Sequence, residues 1–229
     1  MSAKGTPGDV HGAGRLVRFG PSGAGARRAV IGLHGRGAGA EDMGGLVQSL
    51  GFPDLPVFAP EAAGRTWWPT SFLAPTATIK PHVEAAVRAV DRALAVAEEE
   101  GYRPRDIVLL GFSQGGCLAL EYAARRGYPF AAVFGLSAGL IGTADAAGPS
   151  SADLYGHAPK RFDYDADLTG LPVRISVHAQ DPHIPLRRAR DSADVFTAAG
   201  AAVELAVEPG VGHGLTEGDV VALRAALNA

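Results

Sequence analysis

The chain has 229 residues, 47% of them hydrophobic and 20% charged, with a formal net charge of -3. One domain of that size buries enough apolar surface to need no covalent staple, and a single cysteine, Cys117, excludes an internal disulfide framework and a cysteine-based zinc cluster. The near-neutral balance gives no basis for nucleic acid as a partner, and no stretch reaches the roughly 18 consecutive apolar residues of a membrane span.

Residues 1–28 read as a flexible, locally basic start (Lys4, Arg15, Arg18, Arg27, Arg28) with one edge strand at Leu16–Phe19. The first twenty residues hold no apolar run long enough for a secretory leader, so a cytoplasmic protein is expected. A single domain then runs over 29–229. Ala29–Leu33 (AVIGL) is the kind of short apolar run that a strand buried on both faces shows. A Gly-rich loop leads to a helix at 41–50, and 57–59, bracketed by Pro56 and Pro60, is a strand. The clearest helix covers 81–100: Val83, Val87, Val90, Leu94 and Ala97 recur at three- and four-residue spacing, with Pro81 in the first turn and Gly101 as the stop. A strand at 107–110, a helix at Gln114–Arg126 and a strand at 130–136 follow. Residues 138–170 show no period, and a loop of that length, centred on 142–170, is expected to be functional or mobile. Strand 171–177, helix 185–199, strand 203–207 and helix 216–228 complete the chain. Strands alternating with helices, without linker or repeat, predict an α/β fold: a mostly parallel sheet of about seven strands with helices on both faces.

Parallel sheets collect function beyond the C-terminal ends of their strands. After Ile107-Val108-Leu109-Leu110 comes Gly111-Phe112-Ser113-Gln114-Gly115, and an apolar helical stripe of Leu118, Ala119, Tyr122 and Ala123 begins directly behind it. A strand that enters a helix through one sharp turn strains the turn residue, requires glycine on both sides and lifts the serine hydroxyl above the sheet. A second G-x-S-x-G string, Gly135 to Gly139, also follows a strand, but helix breakers come after Ser137, which reads as a structural turn. Cys117, one helical turn past Ser113, reads as packing.

A serine hydroxyl needs a base and the base needs an orienting carboxylate. Of seven histidines, His213 lies in a Gly-Val-Gly-His-Gly loop between the strand VELAV and the last helix. His34 belongs to the loop after the first core strand, His11 to the tail, His82 to a helix start and His157 to the long loop. Asp181 follows the strand LPVRISV, whereas Asp163, Asp165 and Asp167 follow none. The order Ser113, Asp181, His213 is that of α/β-hydrolases. His178, Asp181, His183 and His213 lack the fixed helical spacing of zinc motifs, so no metal is expected, and His178 and His183 read as neighbours of Asp181. Backbone N–H groups of Gln114 and of Arg36, in the glycine-flanked loop after Leu33, are candidates for holding an oxyanion. Neither a G-x-G-x-x-G string nor a Walker lysine marks that loop as a phosphate cradle.

The four islands LHGRGA, GFSQGG, DPHIP and GHG, in that order, resemble the carboxylesterase/phospholipase family of α/β-hydrolases, the group that includes acyl-protein thioesterases. The likeness runs from about residue 29 to the C-terminus and takes in PEAAGRTWWPTSF. It implies a cofactor-free serine hydrolase that cleaves small carboxylic esters or thioesters through an acyl-enzyme. By matching positions, it gives Ser113, Asp181 and His213 as triad, the Arg36 and Gln114 N–H groups as oxyanion hole, and Trp67 and Trp68 as part of a loop lining the acyl pocket. A homodimer is left open. The chain departs from the thioesterase pattern at Arg36, where an apolar residue is usual, and in a longer loop at 142–170. The Arg36 side chain either reaches the pocket mouth, favouring acidic or polar acyl groups, or pairs with a surface carboxylate. The competing functional class is a hydrolase-fold protein that binds a small molecule without cleaving it; a complete triad argues against that.

Overall fold

Every residue of AVIGL is buried, and its side chains split by the two-residue period of the pleat. Ile31 and Leu33 join one apolar cluster, and Val30 joins another. The strand therefore lies inside a sheet with a core on each face. In the computed structural model, which describes residues 9–23, 25–146 and 148–229, it is β2 (Ala29–Leu33). Its companions are β1 (Leu16–Phe19), β3 (Val57–Pro60), β4 (Ile107–Phe112), β5 (Ala132–Leu136), β6 (Pro172–Gln180) and β7 (Ala202–Val211). They form one seven-stranded sheet in the order β1-β3-β2-β4-β5-β6-β7. Only β1 runs antiparallel to its neighbour.

The helices are α1 (Ala40–Ser49), α2 (Thr76–Glu99), α3 (Gln114–Arg126), α4 (Leu186–Ala198) and α5 (Glu217–Asn228). One core cluster takes Val83, Val87 and Val90 of α2, Leu118 and Tyr122 of α3 and Phe196 of α4. The opposite one takes Met43 and Val47 of α1 with Leu223 and Leu227 of α5. The expected α/β sheet with helices on both faces is thus present. No helix among the described residues is long and apolar enough to cross a membrane.

Four local differences from the expectations have physical causes. Helix α2 begins at Thr76, so Pro81 lies inside it and not in its first turn. The turn before the proline finds partners in a distant loop. Thr76 N–H donates to Thr143 O at 3.2 Å and Ala77 N–H to Asp145 Oδ1 at 2.7 Å, which supplies acceptors and a negative charge at the helix N-terminus.

Strands β6 and β7 run further than their apolar runs, to Gln180 and Val211. Pro209 falls where the β6–β7 register jumps from His178↔Glu208 to Gln180↔Val211, a bulge in the edge strand β7 that leaves the proline unpaired.

The start of the chain differs from a solvated tail at 9–14: His11 is buried and Asp9 bonds Arg92 at 2.8 Å. Residues 1–8, with Lys4, lie outside the described residues.

The aperiodic segment is tied down at several points. Gly142 N–H bonds Phe72 O, Thr143 N–H bonds Ala74 O, and Tyr164 O–H bonds the buried Glu121 carboxylate at 2.8 Å.

Candidate active site

At the end of β4 the chain enters α3 through one residue. Ser113 holds φ 54° and ψ -119°, a region costly for a residue with a Cβ. Packing leaves no alternative shape for this turn. A Cβ on Gly111 would stand 2.1 Å from Gly115 O, and one on Gly115 would stand 2.0 Å from Leu33 O. The two glycines thus let the strand, the helix and the end of β2 meet backbone to backbone. Ser113 N–H is held by Leu136 O at 2.8 Å, and its hydroxyl faces His213.

His213 Nε2 lies 2.8 Å from Ser113 Oγ, and its Nδ1 lies 2.8 and 3.0 Å from the two carboxylate oxygens of Asp181. The extension of β6 and β7 past their apolar runs carries Asp181 and His213 to one rim of the sheet. Burial raises the Asp181 carboxyl, but hydrogen bonds from the His213 ring and from the His183 and Ile184 N–H groups outweigh it and hold it below its ordinary value. Asp181 therefore stays an anion at neutral pH, and the N–H on Nδ1 is the one it accepts. Nε2 then offers a lone pair to the hydroxyl.

The loop after β2 closes over this turn. A Cβ on Gly35 would sit 3.2 Å from the Phe112 ring and 3.4 Å from Ser113 Cβ, so the loop packs closely against the turn. Among the described residues, neither Arg36 N–H nor Gln114 N–H has an acceptor within the protein. Gln114 opens α3, where first-turn N–H groups lack helical partners. Its side chain does separate work: Oε1 accepts Trp67 N–H at 2.9 Å, and Nε2 donates to Trp68 O at 2.8 Å.

The two tryptophans part company. Trp68 lines the cavity above Ser113. Trp67 lies beneath the loop, its Nε1–H on His34 O at 2.9 Å, and does not line the cavity. Two buried histidines support it. His34 bonds Gly35 O through Nδ1 at 2.7 Å and accepts Ala62 N–H on Nε2 at 3.0 Å. His11 bonds Trp67 O through Nε2 at 3.0 Å and accepts Ala63 N–H on Nδ1 at 3.1 Å. Each ring uses one nitrogen as donor and one as acceptor, the pattern of a neutral imidazole, and burial pushes both pKa values down.

The cavity has a volume of about 550 Å³. Trp68, Phe72, Cys117 and Ile184 supply an apolar wall, with Arg36 and His183 among the polar lining and no acidic side chain. The exposed Arg36 guanidinium bonds the carbonyls of Pro69 and Thr70, so it straps the loop wall and pairs with no carboxylate among the described residues. Burial pushes the Cys117 thiol up to about 12, which keeps it protonated. The His183 ring stands edge-on to His213 at 4.8 Å, and a Cβ on Gly212 would stand 2.5 Å from the His178 ring. Among the described residues no group of three or more His, Cys, Asp or Glu is arranged to hold a metal ion.

Three contacts had no signal in the sequence. The Gln114 side chain clamps 67–68, Tyr155 O–H donates to Asp181 O at 2.7 Å, and Ser137 Oγ donates to Gly214 O at 3.1 Å. Each joins residues far apart in the chain, and no local pattern announces a partner so distant. The arrangement as a whole can move a proton from a hydroxyl to an imidazole and hold the resulting positive charge against a carboxylate.

Residues 57–221 match the dienelactone hydrolase family. Among solved structures, a phospholipase/carboxylesterase from Dyadobacter fermentans superposes with a TM-score of 0.82 at 27% identity, covering 100% of both chains. The esterase PE8 gives a TM-score of 0.71 at 23% identity over 94% of this chain and 98% of its own. A Bacillus cereus carboxylesterase gives 0.68 at 16% over 94% and 93%. No curated protein matches the sequence.

Proposed function

The chain belongs to the dienelactone hydrolase family of α/β-hydrolases and is a hydrolase of esters; from that premise we propose that it is a carboxylic ester or thioester hydrolase working through Ser113, His213 and Asp181. His213 Nε2 takes the Ser113 proton as Oγ attacks the acyl carbon. The oxygen that becomes negative is held by the N–H groups of Arg36 and Gln114, each such donor being worth roughly 10²–10³ in rate. His213 then passes the proton to the leaving alcohol or thiol. In the second half it activates water to release the acid. Asp181 remains ionised throughout and stabilises the imidazolium. Nothing in this cycle calls for a cofactor.

The observation that carries the reading is the unbroken chain from Oγ to imidazole to carboxylate, with both links at 2.8 Å. The apolar wall of Trp68, Phe72 and Ile184 suits the acyl group, and a cavity of this volume suits a small one. The test is hydrolysis of short p-nitrophenyl esters together with fluorophosphonate labelling. Wild-type protein should turn over the ester and carry a single adduct on Ser113, and Ser113→Ala should lose about 10⁵-fold or more of kcat and all labelling. A folded wild-type protein that forms no adduct would instead be a binding protein.

A further inference from the structure

Gly135-Leu136-Ser137-Ala138-Gly139 repeats the G-x-S-x-G string and takes no direct part in the chemistry above. It lies, however, between the two loops that carry that chemistry. Ser137 sits immediately after β5 with φ +46°, a left-handed conformation that a residue with a side chain adopts at a cost. Its side chain is completely buried. Three consecutive residues here tie three other segments together. Leu136 O accepts Ser113 N–H at 2.8 Å, Ser137 Oγ donates to Gly214 O at 3.1 Å, and Ala138 N–H donates to Ser176 O of β6 at 3.3 Å.

The loop that receives the Ser137 bond needs holding. His213 lies between Gly212 and Gly214, which have no side chains to anchor it. On one side Gly212 is pressed against the His178 ring. On the other, Gly214 O is held by the Ser137 hydroxyl. The imidazole between them must keep two contacts of 2.8 Å, to elements on different strands. The glycines of the string are set by packing alone: a Cβ at Gly135 would meet Leu120 at 2.6 Å, and one at Gly139 would meet Arg188 Cγ at 2.8 Å. The serine is not explained that way, since its hydroxyl has a specific acceptor.

We propose that Ser137 is a positioning residue for His213: by fixing the Gly214 carbonyl it holds the imidazole in register with Ser113 and Asp181. This rests on the triad reading above. Displacement of a reacting group by about 1 Å can cost roughly 10²-fold in rate, so loss of the hydroxyl should cost kcat and leave substrate binding alone.

The test compares Ser137→Ala, which keeps the strained backbone, with Ser137→Gly, which relieves it. Neither has the hydroxyl. Both should lower kcat by about ten- to a hundredfold, with KM unchanged, while thermal stability separates them because only Gly suits the left-handed position. Equal losses of kcat at different stabilities support positioning by the hydroxyl. Wild-type kcat in either folded variant, or a loss confined to KM, overturns it. A second readout is independent of turnover: the downfield proton resonance of His213 Nδ1–H, which should shift or broaden in both variants. An unchanged resonance also overturns the proposal. Persistence of full activity in Ser113→Ala would instead remove the triad mechanism, and the resonance would still judge Ser137.

Discussion

The same five-residue string closes β4 and β5, neighbouring strands of one sheet, and the two turns serve differently. At the first, Ser113 is followed at once by α3, so the hydroxyl stands clear of the sheet and faces an imidazole. At the second, no helix follows, and Ser137 turns inward to a backbone carbonyl. Both serines have positive φ, and both sit between glycines that packing demands. What divides them is the next element in the chain. A helix N-terminus leaves N–H groups open to a ligand above the hydroxyl; after Ser137 the Ala138 and Leu140 N–H groups are instead taken by Ser176 O and Ser192 Oγ.

Breaking each serine in turn gives the widest separation. In the proposed mechanism Ser113→Ala removes the attacking atom and Ser137→Ala only a support, so their kcat losses on a p-nitrophenyl ester should differ by about three orders of magnitude or more. Similar losses would mean that the two turns share one role. Next in size is Asp181→Asn. It keeps the shape but allows the wrong imidazole tautomer, and kcat should fall about 10⁴-fold with the fold intact.

The glycines sharpen the comparison at the level of stability. A Cβ at Gly115 would strike the main-chain Leu33 O, whereas one at Gly139 would meet the side chain of Arg188. Gly115→Ala should therefore destabilise by more than about 4 kcal/mol or prevent folding, and Gly139→Ala by only about 1–3 kcal/mol, as read by denaturant unfolding. Equal effects would mean that the backbone at the first turn has room to move.

The smallest effect concerns pH. His11 and His34 are pushed below their ordinary 6.5 by burial. Near that pH the unfolded chain takes up protons that the folded chain refuses. Stability is therefore full above it and declines as pH falls through the depressed folded values. Asp181, held low by its hydrogen bonds, adds a loss of the same sign at more acid pH. The melting temperature should drop by a few degrees between about pH 8 and pH 5. A flat profile would mean that these rings titrate as they do in water.

Much of the sheet was legible because its strands are buried on both faces and announce themselves as apolar runs: β2 and β4 follow theirs at their starts, and α3 matches its predicted bounds. The start of α2 was not legible. Pro81 is a local stop signal, and the acceptors that override it, Thr143 and Asp145, lie more than sixty residues away. Trp67 and Trp68 are alike in the sequence. Only the fold places one in the cavity wall and the other under the loop.

The sequence alone determined the elements and their order, because hydrophobic period and turn chemistry are local: apolar runs, helical spacing, and glycine on both sides of a strained serine. The tertiary structure decided everything that depends on meeting across the chain. It brought Asp181 and His213 to Ser113, strapped Arg36 onto the carbonyls of Pro69 and Thr70, and turned a duplicate serine string inward onto Gly214. Hydrogen bonds reach about 3 Å and are blind to separation along the chain, so a partner chosen by folding leaves no periodic trace in the residues that surround it.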